Sequence, residues 1–167
     1  YSPFDKDNTN FTNFVFMPRK QDFLKYWRVV RYYVKAKYDL TTPDLEMLLF
    51  LYSEKYFSRI DFQEYEQIMA WDRNRFDRLR TNGWLDIFRK PNRKAGVGAR
   101  YKLSHKAETV IKTMYGFING SRDLSEGKRR NPLTRDDSGY SAKRYVQIIK
   151  KMNREYKKLR EERSEDL

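Results

Sequence analysis

Apolar residues recur at steps of three and four along most of the chain, which predicts helices with one interruption. Phe23, Tyr26, Trp27, Val30, Tyr33 and Val34 form a wide apolar face, a first helix over residues 22–37 with Asp22 as N-cap. A second helix follows. Thr42 suits its cap, Pro43 its first position and Asp44 the positive end of its dipole. Leu45, Met47, Leu48, Leu49, Phe50, Leu51 and Tyr52 make it apolar nearly all round, so it belongs at the buried centre. Residues 57–60 read as a short strand. Asp61 to Glu64 fits a capping box that opens a third helix to about Met69, with Phe62, Tyr65, Ile68 and Met69 inward. Asp72 caps a fourth helix over 72–82, in which Phe76 and Leu79 face the core, and Gly83 stops it.

The period then changes. Residues 84–89 and 100–103 read as two short strands around a loop holding Pro91, Gly96 and Gly98. Ser104 caps a fifth helix whose stripe is Val110, Ile111, Met114, Phe117 and Ile118, and Asn119-Gly120 ends it. Residues 120–139 are polar and basic, a long exposed loop that points to a binding role or partial disorder. In a last helix over 140–163, Tyr145, Ile149, Met152, Tyr156 and Leu159 form a narrow seam of the coiled-coil kind with charged flanks. Such a helix is expected to bury little against its own domain and to pair with a second copy. Residues 1–20 have no period but carry Phe11, Phe14, Val15, Phe16 and Met17. This arm either packs on its own domain or reaches a second subunit or another protein.

The implied organisation is an aromatic arm (1–21), a core (22–119), a basic loop (120–139) and a C-terminal helix for dimerisation or docking (140–167). Two short helices, a stop and a hairpin make the fold mainly α with a small β-hairpin wing: a winged helix-turn-helix with long terminal helices.

Charge sharpens this picture. Net charge is +13, from 36 Lys plus Arg against 23 Asp plus Glu, which favours a polyanionic partner, nucleic acid first. Residues 71–102 hold ten Lys or Arg against three Asp. On the fourth helix, steps of about 100° per residue set Asn74, Arg78 and Thr81 opposite Phe76 and Leu79. Those three are the candidates for base edges, since Arg suits guanine and Asn suits adenine. Arg73, Arg75 and Arg80 flank that face, and Arg89, Lys90, Arg93 and Lys94 lie on the wing; all seven are candidates for phosphates.

Three segments resemble the MarR-type winged-helix regulators. Leu40-Thr41-Thr42-Pro43-Asp44-Leu45 is similar to that family's approach to its second helix. Asn82-Gly83-Trp84-Leu85 resembles its turn from recognition helix to wing, and Tyr101-Lys102-Leu103-Ser104 its step from wing to helix. The likeness spans about residues 22–159. Where the family's wing commonly carries Asp-x-Arg, this chain has Asn92-Arg93. The resemblance implies a homodimer built from terminal helices, with two recognition helices in successive major grooves. Many members answer to a small ligand, for which a cleft lined by Tyr26, Tyr33 and Met114 is the candidate place, with core packing the favoured reading of those three residues.

Other chemistry finds little support. There is no cysteine, so thiolate zinc sites and Cys nucleophiles are excluded. The single His, His105, sits at a helix start, and neither a catalytic nor a metal site is expected. Gly96-Val97-Gly98 is half a glycine fingerprint in a hairpin, and no cofactor is expected. No apolar run reaches the length of a membrane span. The leading expectation is a double-stranded DNA-binding regulator, cytoplasmic or nucleoid-associated. The alternative is a non-catalytic structural or adaptor subunit of a larger assembly, such as a viral particle or nucleoprotein complex.

Overall fold

The computed structural model describes residues 22–69, 72–135 and 140–167, with the backbone alone at Arg73 and Tyr140. The aromatic arm therefore lies outside the described residues. Those residues form α1 (Trp27–Tyr38), α2 (Thr42–Glu54), α3 (Arg59–Met69), α4 (Arg73–Thr81), β1 (Leu85–Arg89), β2 (Arg100–Leu103), α5 (His105–Asn119), a 3-10 turn (Pro132–Thr134) and α6 (Tyr140–Glu165). The protein is mainly helical with a small two-stranded antiparallel sheet.

Helix starts follow capping chemistry more closely than the apolar period. The first helix begins at Trp27 instead of residue 22. The Asp22 carboxylate takes the Leu24 amide at 3.1 Å, closing a tight turn before the helix and leaving Phe23 and Leu24 exposed. Thr41, one residue before the expected cap, opens α2. Its hydroxyl accepts the Asp44 amide at 3.2 Å, while the Asp44 carboxylate accepts the Thr41 amide at 3.0 Å. These reciprocal bonds satisfy two amides that the first helical turn leaves open. Leu45, Met47, Leu48 and Leu51 are buried, as a central helix requires.

The same chemistry shortens the strand expected over 57–60. Ser58 and Asp61 exchange amide bonds of 2.8 and 3.1 Å, so the capping box begins at Ser58, with Asp61 in its third helical position. The chain therefore turns into α3 after a single bridge, Phe57 to Tyr101, made by backbone bonds of 3.0 and 2.8 Å. On α3 only Phe62 is fully buried and Tyr65 half-buried; Ile68 and Met69, expected inward, are exposed.

β1 and β2 pair Leu85 with Leu103, Asp86 with Lys102 and Ile87 with Tyr101. The next pair is Arg89 with Arg100, so Phe88 is the extra residue of a β-bulge. Tyr101 and Leu103 are buried, while Arg100 and Lys102 face outward. α5 runs from its Ser104 cap to Gly120, whose φ of +80° suits glycine. Its whole predicted stripe is buried.

The largest departure lies after α5. Residues 120–135 are not a free loop. Leu124, Asn131 and Thr134 are buried, and the 3-10 turn packs against α1 and α6. The Asn153 amide of α6 exchanges both hydrogen bonds with the Leu124 backbone, at 3.3 and 2.9 Å. Residues 136–139 lie outside the described residues. The α6 seam is likewise part of the chain's own core: Ile149, Met152 and Tyr156 are buried, and Tyr145 and Leu159 pack on the same cluster. The expectation of a seam left open for a second copy is corrected. α1 and residues 120–135 already cover it. The Tyr156 hydroxyl donates to the Ile118 carbonyl at 3.0 Å, and Tyr156 meets Tyr26 edge to face.

Candidate nucleic-acid interface

α4 is short and would not be stable alone, so its placement rests on what it buries. The Asp72 carboxylate caps it through the Asn74 amide at 3.0 Å. Phe76 is the anchor. Its ring lies 4.7 Å from Phe62, 5.0 Å from Tyr101 and 6.4 Å from Phe57, joining α3, the wing and the single bridge. Leu79 is buried beside it. The opposite face is therefore outward, and Asn74, Arg78 and Thr81 are exposed there. The Thr81 hydroxyl donates to the Asp77 carbonyl at 2.8 Å, and Asp77 accepts from Arg59 at 2.8 Å.

The flanking arginines divide. Arg75, expected at phosphates, is turned inward. Its guanidinium binds the buried carboxylate of Asp44 and, at 3.0 Å, the Thr41 hydroxyl; its side chain is 12% exposed. The reason is helical position: Arg75 precedes the Phe76 anchor and faces the start of α2. Arg75 is thus a positioning residue, corrected from a contact residue. Arg78 reaches the same carboxylate at 3.3 Å but stays half exposed. Arg80 is exposed, with its guanidinium carbon 5.6 Å from the Tyr101 ring centroid. The side chain of Arg73 lies outside the described residues.

Sequence reasoning placed Asp44 at the start of the second helix but missed its pairing with Arg75. Burial pushes its carboxyl up, but hydrogen bonds from Thr41 and Arg75 outweigh that and hold it below the usual Asp value. The available signal was the Thr41-x-x-Asp44 capping box, which draws the carboxylate against the α2 backbone.

The wing tip is ordered by its own backbone. Asn92 and Val97 form a bridge with bonds of 2.8 and 3.0 Å, and Gly96 turns at φ +66°. Arg89, Lys90, Arg93 and Lys94 are all exposed, and none forms an ion pair among the described residues. Exposed cations with no ion-pair partner among the described residues suit a polyanion.

The other candidates separate from this surface. Tyr26, Tyr33 and Met114, proposed to line a ligand cleft, are buried core residues, with Tyr33 edge-on to Phe117 at 5.6 Å. His105 is exposed at the start of α5. Among the described residues no group of three or more His, Asp or Glu could hold a metal ion, and no helix is long and apolar enough to cross a membrane. The chain matches no protein-family model, no curated protein and no solved structure.

Proposed function

We propose that the chain is a double-stranded DNA-binding winged-helix protein that serves as a transcriptional regulator, with α3 and α4 as its helix-turn-helix and β1–β2 as its wing. The element order supports this reading: helix, one-residue bridge, two short helices, hairpin and helix. One observation carries it. Phe76, Leu79 and Arg75 pin α4 from within, so Asn74, Arg78 and Thr81 stand outward next to a hairpin whose cations have no ion-pair partner among the described residues. In this role Asn74 and Arg78 read base edges, while Arg80, Arg89, Lys90, Arg93 and Lys94 hold phosphates.

A dimer through Tyr145, Ile149, Met152, Tyr156 and Leu159 is not part of the proposal, because that seam is occupied within one chain. Anisotropy titration with random and genomic duplexes tests the function. Six to ten phosphate contacts predict a loss of about 10³ to 10⁵ in affinity between roughly 50 and 200 mM salt. Failure of any duplex to bind at the lower salt sinks the reading.

A further inference from the structure

Phe88 and Tyr56 are exposed aromatic residues that the duplex-binding surface does not use. Their rings stack with centroids 4.0 Å apart and planes 24° from parallel. Each is about half exposed, 49% for Phe88 and 47% for Tyr56, although large rings normally gain by burial. Phe88 owes its position to the bulge: it is the residue without a partner between the pairs Ile87–Tyr101 and Arg89–Arg100. Bulges re-aim side chains and are common beside functional sites. Tyr56 comes from the other side of β2, beside the bridging residue Phe57. The stack thus crosses the outer face of β2, the face that carries Arg100 and Lys102.

Exposed cations lie next to both rings along the chain. Lys55 precedes Tyr56, Arg89 and Lys90 follow Phe88, and Arg100 and Lys102 lie along the strand beneath, all exposed. Asp86, in register with Lys102, is the acid on that strand pair. A half-bare aromatic stack with exposed cations next to both rings along the chain has the two components that bind single-stranded nucleic acid without reading sequence. An aromatic face takes a base, and cations take the backbone on either side. A base paired inside a duplex cannot offer its face to such a ring.

We propose that the Tyr56–Phe88 stack is a platform for an unpaired nucleobase, making single-stranded nucleic acid a second class of ligand for this chain. The platform does not depend on α4. The ring faces give the site its preference for bases over bare phosphates, and the flanking cations give it salt dependence.

The test compares three fluorescent ligands on the full chain: an oligothymidine of about 12 nucleotides, an abasic strand of equal phosphate number, and a duplex. Oligothymidine is expected to bind at least about tenfold more tightly than the abasic strand. Phe88→Ala and Tyr56→Ala should each weaken oligothymidine binding by roughly 5- to 150-fold, with duplex binding retained. Phe88→Trp should keep the affinity, and its added emission should be quenched by oligothymidine but not by the abasic strand. If the alanine variant at 88 does not fold, this quenching decides the matter. Equal binding of the oligothymidine and abasic strands overturns the proposal, as does unchanged oligothymidine affinity in the folded alanine variants. An α4 reading that fails looks different: duplex binding is lost while oligothymidine still binds.

Discussion

Asp44 of α2 and Arg75 of α4 form an enclosed ion pair between two helices that are 31 positions apart in the chain, with side chains only 7% and 12% exposed. The carboxylate also closes the α2 capping box. One group therefore does two jobs: it starts the central helix and sets the angle at which α4 presents its outer face.

Asp44→Ala is expected to cost about 3 kcal/mol in urea unfolding, because it removes the return half of the capping box and leaves the Arg75 guanidinium without its buried carboxylate. Linkage fixes the pH dependence. The native Asp44 pKa is lowered, so its contribution is complete above the unfolded value of about 4 and is lost as pH falls through the lower native value. Wild-type stability should fall more steeply than that of Asp44→Asn as pH drops below about 4. Parallel acid dependences of the two proteins would remove Asp44 from this role.

Arg78 and Arg93 should fail differently. Arg78→Ala is expected to cost about 1–3 kcal/mol in duplex binding and to relax preference at one base position. Arg93→Ala should weaken all duplexes alike and lower the salt slope by about 1. Anisotropy titrations over a salt series separate the two. Indifference of binding to both substitutions would count against α4 and the wing as the interface.

At Gly120 the backbone is left-handed, and an added Cβ would lie 2.9–3.0 Å from the Tyr156 ring. Gly120→Ala should therefore destabilise by about 2 kcal/mol or more, combining backbone strain with overpacking. The urea midpoint measures this. A neutral result would mean that α6 does not press on the end of α5.

Met152 has no exposed surface. Met152→Ala should cost roughly 2–5 kcal/mol. Because the seam closes within one chain, the loss should not vary with protein concentration. A midpoint that moved with dilution would instead indicate a seam shared between copies.

The legible features were those decided within a few residues. Phe76 and Leu79 set the inner face of α4, and the stripe from Val110 to Ile118 set that of α5, because a helix repeats its direction every three to four positions. Gly83 and Gly120 marked the stops. Long-range contacts were not legible. Arg75 lies about 100° round the helix from Phe76, where periodicity alone allows either a phosphate or a buried acid. Its partner, Asp44, lies 31 residues upstream. The α6 seam showed that Ile149 and Met152 needed cover but not which chain supplied it. The cover includes Leu124 and Leu133, two isolated apolar residues in a basic stretch that shows no period. On α3, Ile68 and Met69 continue an apolar pattern past the point where the fold uses it.

α6 follows every other described element in the chain, yet it covers the earliest one. Tyr156 rests on Tyr26, and the α6 side chain of Glu155 meets Lys25 at 2.9 Å. During synthesis, at about 5–20 residues per second, a nascent chain halted before residue 140 holds α1 and α5 with one flank of their shared core bare. Folding to completion then waits on translation of α6, and an interrupted chain is exposed to aggregation or to a chaperone during that interval.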